Sequence, residues 1–404
     1  MKNKILIPLF YDYYLYNYLY TLGQKLSEEN FDVTFLTLDN EVKKKFLNNK
    51  RVNIIFGPNL IKFLINRSGN IFFIFILWVF SYIWSLRLKK KYNLVILPND
   101  QKPCFYCIGL FMPSVVIYVT TEFMHLKETL NYYKKKNKPK FLLFDKLMGY
   151  APKDRLLGSA KNLIVPGHTI KKNYRTLCNQ SNLTDRNIYV AGMPNYENVF
   201  KIKKNWNKKK RKELLLNLGV NYKKNIYTFF LSYSEYDETK IKEISLVINE
   251  ISKVQNNFYF LLTLHPKTRK ENIAKIRYGL GKDYKNCKII YGKGDEEFNA
   301  NIILSSYVLL QKQSTIGFLI MLLKKPIISY NILDTQYEDD MYKIMGGSFH
   351  CENLSILKKS LKFIKDKKKI QILNKKQKEA CYKFCYPFSS PNSQIIKIIS
   401  NILK

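Results

Sequence analysis

The sequence is poor in the residues that build metal clusters and disulfide frameworks. It has 7 cysteines and 4 histidines among 404 residues. Cys104 and Cys107 form a single C-x-x-C, and no second pair stands at the spacing of a zinc site. Such thinly spread cysteines are typical of a protein in a reducing cytosol and count against a small disulfide-stabilised secreted fold.

The sequence also lacks an apolar run long enough to cross a membrane. The most membrane-like segment, Ile71–Leu86, falls short of the roughly 20 residues that span a bilayer. Arg67 precedes it and a basic run at 87–91 follows it, so two interpretations stay open: a buried crossover helix, or a helix that lies in the membrane interface. The N-terminal apolar run is too short for a signal peptide because Asp12 interrupts it, and it predicts a first β-strand instead.

Acidic residues are scarce: 31 Asp and Glu stand against 68 Lys and Arg, which gives a formal net charge of +37. A charge of this size first suggests a nucleic-acid-binding protein. The lysines are scattered, however, and Asn, Ile, Tyr and Phe are plentiful beside them, which indicates a general compositional bias. We therefore expect no specific nucleic-acid partner, although the positive field still attracts anionic ligands and anionic lipid surfaces.

Short apolar runs alternate with helical stretches along the chain. Runs such as KILIPLF, FDVTFLTL and FYFLLTL are typical of strands buried on both faces of a parallel sheet. A polar, lysine-rich stretch interrupts the alternation once. The pattern predicts two doubly wound, Rossmann-like α/β domains that face each other across a cleft. The predicted boundaries are 1–195 for the first domain, 196–222 for a linker, 223–385 for the second domain and 386–404 for a C-terminal helix that returns toward the first domain.

One of the few histidines, His265, stands where the strand FYFLLTL meets a polar loop. Pro266 follows it and cannot continue a strand ladder, so a turn holds the imidazole at the carboxyl edge of the predicted sheet. Ligands of α/β proteins bind at that edge. There an imidazole is placed to donate to a phosphate oxygen or a leaving group. A histidine that bonds only to backbone at a turn is the alternative.

A second polar turn, QKQST, lies between the strand YVLL and the helix that follows it. Ser314 or Thr315 is placed to cap that helix, and Gly317 permits close backbone approach. The free N–H groups and the positive dipole of a helix start favour an anion. Plain capping is again the alternative, but the two motifs in one doubly wound domain indicate a phosphate-binding site.

The order of these motifs, LLTLHPKT and then QKQSTIGFLIMLL, resembles the C-terminal domain of GT-B glycosyltransferases. The resemblance is strongest to bacterial sialyl- and polysialyltransferases and to CDP-glycerol glycerophosphotransferases, in which an HP motif and a Ser-Ser or Ser-Thr motif hold the donor nucleotide. The segment NIYVAGMP is similar to the G-x-P segment that closes the N-terminal domain in this group, which implies an interdomain role for Gly192 and Pro194. With neighbouring polar residues included, the implied donor site comprises His265, Pro266, Lys267, Gln311, Gln313, Ser314, Thr315 and Gly317.

Two features of these families are missing from the sequence. Many GT-B enzymes carry a ribose-binding Glu where this chain has Leu319, so the two glutamines of the QKQ turn are predicted to replace it, or donor binding differs. The acidic motif that supplies the general base in sialyltransferases is also absent. The nearest acidic residue at a strand end of the first domain is Glu122, with His125 one helical turn on. Either can take a proton from an acceptor hydroxyl, with a helix cap and a core histidine as the alternative, and His265 completes the predicted catalytic set.

The resemblance implies a GT-B-type glycosyltransferase that moves a sugar, or a polyol phosphate, from a nucleotide-activated donor to a bacterial surface glycan, as in capsule or lipopolysaccharide biosynthesis. The donor is expected to be of the CMP or CDP type. No metal or other cofactor is expected, because no cluster has metal-ligand spacing.

The expected partners are the nucleotide-sugar donor, a glycan or lipid-linked acceptor and an anionic membrane surface. The expected location is the cytoplasm or the inner face of the cytoplasmic membrane. Two other functions stay open. One is a UDP-N-acetylglucosamine 2-epimerase-like enzyme, which needs more acid and base residues than the sequence offers. The other is a non-catalytic basic protein of the membrane surface.

Overall fold

The computed structural model describes most of the second half of the chain and separate stretches of the first half. The described residues are 3–9, 17–37, 52–56, 76, 79, 83, 91–98, 115–119, 161–180, 185–231, 238–265, 268, 270–281, 286–292, 296–311, 316–333, 346–385 and 390–404. By their contacts they form two compact units. The first is Met1–Glu197 with Lys383–Lys404, and the second is Asn198–Tyr382.

The first unit contains a sheet of seven described strands in the order β3-β2-β1-β4-β5-β6-β7. All of its strand pairs are parallel. The strands are short runs rich in Val, Ile and Leu, as expected where both faces of a sheet are covered. Their bounds are β1 (Lys4–Leu9), β2 (Asp32–Thr37), β3 (Asn53–Phe56), β4 (Leu94–Pro98), β5 (Val115–Val119), β6 (Asn162–Val165) and β7 (Asn187–Val190).

The second unit contains a sheet of six described strands in the order β10-β9-β8-β11-β12-β13, and these pairs are parallel as well. Two doubly wound parallel sheets are the architecture that the sequence predicted. The bounds are β8 (Asn225–Phe230), β9 (Phe258–Leu264), β10 (Cys287–Tyr291), β11 (Val308–Gln311), β12 (Ile327–Tyr330) and β13 (Phe349–Cys351).

The described helices connect and cover these strands. A short 3₁₀ helix, Pro194–Tyr196, follows β7. The last helix belongs to the first unit, where Ile395 and Ile399 are fully buried against β1 and the first helix. The helices are α1 (Asn17–Glu28), α2 (His168–Gln180), α3 (Val199–Lys204), α4 (Lys208–Asn217), α5 (Glu238–Val254), α6 (Lys270–Leu280), α7 (Glu296–Ser305), α8 (Ile316–Leu322), α9 (Leu354–Phe363), α10 (Lys367–Phe384) and α11 (Pro391–Leu403).

The lysine-rich stretch that was predicted as a linker, 196–222, is largely helical. It forms α3 and α4, and both pack against α7 of the second unit. The side chain of Asn207 caps α4 by accepting a hydrogen bond from the Lys210 N–H at 3.0 Å. The buried side chains of Val199 and Leu215 anchor the two helices. Most lysines of the two helices are exposed, and Lys203 is an exception.

Three basic side chains of the second unit donate to carbonyl groups at helix ends. Lys325 Nζ lies 2.7 Å from the Ser306 carbonyl oxygen, and Arg211 Nε lies 3.0 Å from that of Ser305. Lys203 Nζ lies 3.0 Å from the Leu323 carbonyl oxygen. These carbonyls end α7 and α8, where the helix dipole favours cations. Burial, followed by the charges of Arg211 and Lys203, lowers the pKa of Lys325 from 10.5 to about 8.

This lowered pKa makes stability depend on pH. Between about pH 8 and 10.5 Lys325 is mostly neutral in the folded protein but protonated in the unfolded chain, so unfolding takes up a proton. The contribution of Lys325 to the free energy of unfolding therefore rises with pH in this window, by up to about 1.4 kcal/mol per pH unit. The buried thiols of Cys287 and Cys351, whose pKa values burial raises to about 12 and about 11, act in the opposite direction. Urea unfolding at several pH values is therefore expected to show a less positive slope of the free energy of unfolding against pH for Lys325→Met than for the wild type. Lys324→Met, which changes an exposed neighbour, is the control. Equal slopes for all three proteins would contradict the prediction.

Candidate functional site

The strand order of the second sheet reverses between β8 and β11. Because the strands are parallel, their carboxyl ends share one edge of the sheet. Open α/β sheets bind ligands at this edge, at the point where the strand order reverses. The carboxyl ends of β9, β8 and β11 are therefore the candidate site.

His265 lies at this edge. It directly follows β9 and is half-buried. Thr263 pairs in register with Phe230, and Phe230 pairs with Gln311, so the three strand ends are level. Since β8 alone separates β9 from β11, these two strands lie roughly 10 Å apart at the usual spacing. One ligand of nucleotide size is thus long enough to reach from His265 to the carboxyl end of β11.

A tight turn fixes the backbone at His265. The Thr268 N–H donates to the His265 carbonyl oxygen at 2.9 Å. The hydroxyl oxygens of Thr263 and Thr268 are buried and find no hydrogen-bond partner among the described residues. A buried polar group without a partner costs about 1–3 kcal/mol, and in a native structure it calls for an explanation. Thr263 lies within β9 and Thr268 in the turn, so two such hydroxyls stand within three residues of His265 in the chain.

The β11–α8 connection is described only at its two ends. The backbone of Gln311 closes β11, and α8 begins at Ile316. Gly317 is buried, and Leu319 is 1% exposed and belongs to the core, so Leu319 cannot replace a ribose-binding Glu. The other predicted donor-site residues of this region and of the HP turn lie outside the described residues, namely Pro266, Lys267, Gln313, Ser314 and Thr315.

The remaining predicted residues belong to the first unit. Glu122 and His125 lie outside the described residues, so the general base stays a prediction. Gly192 and Pro194 are buried and follow β7, the last strand of the first sheet. Gly192 has a φ of +83°, a left-handed conformation that glycine adopts without steric cost. Pro194 opens the 3₁₀ helix, shortly before the chain enters the second unit at Asn198.

A buried carboxylate that the sequence analysis did not consider, Glu243, holds the loop after β12. Glu243 is 1% exposed on α5, and its Oε1 accepts hydrogen bonds from the N–H groups of Ile332 and Leu333, the latter at 3.1 Å. This loop leaves the same edge of the sheet as His265. The sequence does contain a sign of this role. Glu243 stands four residues before Val247 and eight before Ile251, so an acidic residue occupies the apolar face of α5.

His350 was also not considered, although it is one of only 4 histidines. It pairs in register with Ser329, and its Nδ1 lies 2.9 Å from the Ser329 hydroxyl. The same hydroxyl lies 2.8 Å from that of Ser348, and the His350 Nε2 lies 3.9 Å from a Glu352 carboxylate oxygen. Ser329 is fully buried, so this network fixes the imidazole on the edge strand.

Two features are absent from the described part of the chain. No group of three or more His, Cys, Asp and Glu side chains there is arranged to hold a metal ion, and no helix there has the length and apolar character needed to span a bilayer. Of the segment Ile71–Leu86 only Ile76, Val79 and Ile83 are described; all three are helical, and Ile83 is 48% exposed. Its position at a membrane interface therefore stays a prediction.

No protein family model matches the chain, and no curated protein matches its sequence. Solved structures do match it. The UDP-GlcNAc 2-epimerase from Neisseria meningitidis bound to UDP-GlcNAc has a TM-score of 0.60 at 14% identity, with 100% of each chain covered. WaaG, a glycosyltransferase involved in lipopolysaccharide biosynthesis, has a TM-score of 0.59 at 10% identity, with 98% of this chain and 99% of that chain covered. The wall teichoic acid polymerase TagF with CDPG has a TM-score of 0.60 at 12% identity, with 99% of this chain and 88% of that chain covered.

The chain has the GT-B fold. The fold class predicted from the sequence is thereby confirmed. At 10–14% identity these matches establish the fold alone, and that fold is shared by transferases and epimerases. The residues of the site, and not the fold, therefore decide which reaction the protein catalyses.

Proposed function

We propose that this GT-B protein is a transferase that moves a sugar, or a polyol phosphate, from a nucleotide-activated donor to a bacterial surface glycan. The observation that carries the proposal is the position of His265. It lies at the carboxyl edge of β9, beside the point where the strand order reverses, and level with the strand that leads into the Ser314-Thr315 turn. Phosphate groups of a donor need hydrogen-bond donors of this kind at this edge.

In this proposal the donor's phosphates lie between the HP turn and the Ser314-Thr315 turn. The His265 imidazole donates to a phosphate oxygen as the bond to the transferred group breaks, and the hydroxyls of Ser314 and Thr315 donate to neighbouring oxygens. Lys267 and Lys312 stand beside these turns in the sequence and offset the negative charge that develops on the departing nucleotide. Donors fixed in advance toward a developing charge lower the barrier of such a reaction.

The acceptor half of the proposal rests on the first unit. Glu122 or His125 takes the proton from an acceptor hydroxyl while that oxygen attacks the transferred group. A donor of the CMP or CDP type is favoured, and the TagF structure with CDPG supports a cytidine nucleotide in this fold. Capsule or lipopolysaccharide assembly is the proposed setting, in line with the role stated for WaaG.

A second candidate function is epimerisation of a nucleotide sugar, because a 2-epimerase bound to UDP-GlcNAc matches the whole chain. The two functions differ in their need for an acceptor. An epimerase that changes only the sugar stereocentre converts UDP-GlcNAc alone and leaves its product attached to UDP, whereas a transferase releases the nucleotide as the group moves to an acceptor or, more slowly, to water. Nuclear magnetic resonance spectra of UDP-GlcNAc incubated with the protein alone distinguish them.

The donor site is tested by nucleotide binding to variants of its hydroxyls. A thermal-shift screen with CMP, CDP, UDP and GDP first identifies the preferred nucleotide. Ser314→Ala and Thr315→Ala are each expected to weaken its binding about tenfold to hundredfold, because a hydrogen bond to a charged group contributes about 1.5–3 kcal/mol. Loss of a helix cap alone costs about 1 kcal/mol of stability.

Matched controls are Ser355→Ala and Thr176→Ala, which remove exposed hydroxyls on α9 and α2. Calorimetry is expected to show unchanged nucleotide affinity for both controls. If Ser314→Ala and Thr315→Ala also keep full affinity and lose only stability, the two hydroxyls are helix caps and the donor site lies elsewhere.

A further inference from the structure

The end of α9, the turn that follows it and the start of α10, residues 362–372, carry a cluster of positive charge. We refer to these residues as the α9–α10 tip. None of its lysines makes an ion pair with any residue in the described part of the chain, whereas Lys358, one turn earlier, lies 3.3 Å from the Glu250 carboxylate. The five exposed lysines of the tip are Lys362, Lys365, Lys367, Lys368 and Lys369.

One acidic residue, Asp366, stands among these lysines, and its carboxylate binds backbone N–H groups. Its Oδ1 accepts hydrogen bonds from the N–H groups of Lys368 at 2.8 Å and Lys369 at 3.3 Å. It thus caps the first turn of α10, where a negative charge also meets the helix dipole. The lysine ammonium groups are left facing solvent without a neutralising partner, which favours an anionic binding partner.

Two apolar side chains are exposed at the same tip. Phe363 is 36% exposed and Ile372 is 52% exposed, while the adjacent Ile364 is buried and anchors the turn to the core. The Lys369 ammonium lies 5.2 Å from the centre of the Phe363 ring, and Ile372 follows three residues after Lys369, on the same face of α10. Exposed apolar side chains among lysines are typical of segments that enter the headgroup region of a membrane.

We propose that the α9–α10 tip docks on an anionic lipid surface. The lysines contact the headgroups, and Phe363 and Ile372 enter the boundary of the acyl chains. A lipid surface is favoured over nucleic acid because the exposed aliphatic Ile372 can enter the boundary of the acyl chains, whereas a phosphate backbone is bound mainly through its charge. This surface belongs to the second unit and depends neither on Ile71–Leu86 nor on the proposed transferase activity.

The charge of the tip is tested by flotation with phosphatidylcholine vesicles that contain or lack phosphatidylserine. The wild type is expected to bind the anionic vesicles at low salt and to detach at high salt. Replacement of Lys365, Lys367, Lys368 and Lys369 by Gln is expected to weaken this binding roughly a hundredfold or more, since each lysine near an anionic surface contributes roughly a fivefold factor. The matched control replaces Lys204, Lys208, Lys209 and Lys210 of α3 and α4, which removes the same number of charges and is expected to have a much smaller effect.

The apolar part is tested by Phe363→Ser with Ile372→Ser. The matched control is Phe200→Ser with Leu216→Ser, because those side chains have the same exposures, 36% and 52%, but lie outside the tip, on α3 and α4. Circular dichroism checks that each variant is folded, and the nucleotide thermal shift is expected to be unchanged in all of them. We expect vesicle binding to fall at least tenfold for the tip variant only.

Three results would overturn the proposal. One is equal loss of vesicle binding in the tip and control lysine variants, which would indicate a general charge effect. Another is full binding by the folded Phe363 and Ile372 variant. The third is a wild type that binds single-stranded RNA through the tip lysines but not anionic vesicles, which would assign the surface to nucleic acid.

Discussion

Replacing His265 by Asn is expected to lower the rate of nucleotide release from the activated donor by about 10²–10⁴-fold, the usual contribution of a positioned proton donor. Asn keeps a hydrogen-bond donor of similar reach but cannot transfer a proton or carry a positive charge. The loss should therefore fall on kcat more than on KM, because the interaction strengthens as charge develops on the leaving nucleotide.

The same substitution is expected to change the stability of the fold by only about 1 kcal/mol or less, because His265 is half-buried and ends a strand rather than filling the core. His168→Asn is the matched control, since His168 is exposed at the start of α2 in the first unit. The assay measures nucleotide released from the donor whose nucleotide binds best in the thermal-shift screen. A folded His265→Asn protein with wild-type kcat would remove His265 from the chemistry.

The sequence predicts the two sheets well for a physical reason. A parallel strand that is covered on both faces is apolar at nearly every position, so β8 and β9 appear as nearly continuous apolar runs, NIYTFF and FYFLLTL. The same runs show where each strand ends, and the carboxyl ends of parallel strands mark the ligand edge. The position of His265 at this edge of the sheet was therefore predictable from the sequence.

The sequence does not predict contacts between residues that are far apart in the chain. Glu243 holds an N–H group that lies 89 residues later, and Ser329 meets His350 through strand pairing. Neither pair has a local signature. The helices of the predicted linker were missed for another reason: KKKRKELLLN is strongly charged, and the single buried Leu215 that anchors it is not distinctive in sequence.

Glu197 also makes contacts with residues that are far away in the chain. It follows the predicted interdomain residues Gly192 and Pro194 closely in the sequence. The residue is 8% exposed and forms an ion pair with Lys25 of α1. Its Oε2 accepts the Asn392 N–H at 2.8 Å, and its Oε1 accepts the Ser390 hydroxyl at 2.6 Å. One carboxylate thus joins the end of the first sheet, α1 and the first turn of α11.

Replacing Glu197 by Ala is expected to reduce the free energy of unfolding by about 3–4 kcal/mol, toward the low end of the range for breaking a buried ion pair because Lys25 keeps some contact with water. The loss combines an unpaired N–H of Asn392 at the start of α11 and the loss of the ion pair with Lys25, whereas the Ser390 hydroxyl keeps its contact with the Ser393 hydroxyl at 2.7 Å. Glu197→Gln keeps one acceptor oxygen and should lose about half as much, whereas Lys25→Met should lose least because the helix start stays capped. Urea unfolding of the three variants measures this order. If Glu197→Ala lies within about 0.5 kcal/mol of the wild type, the carboxylate does not hold the C-terminal helix, and the apolar contacts of Ile395 and Ile399 alone keep α11 on the first unit.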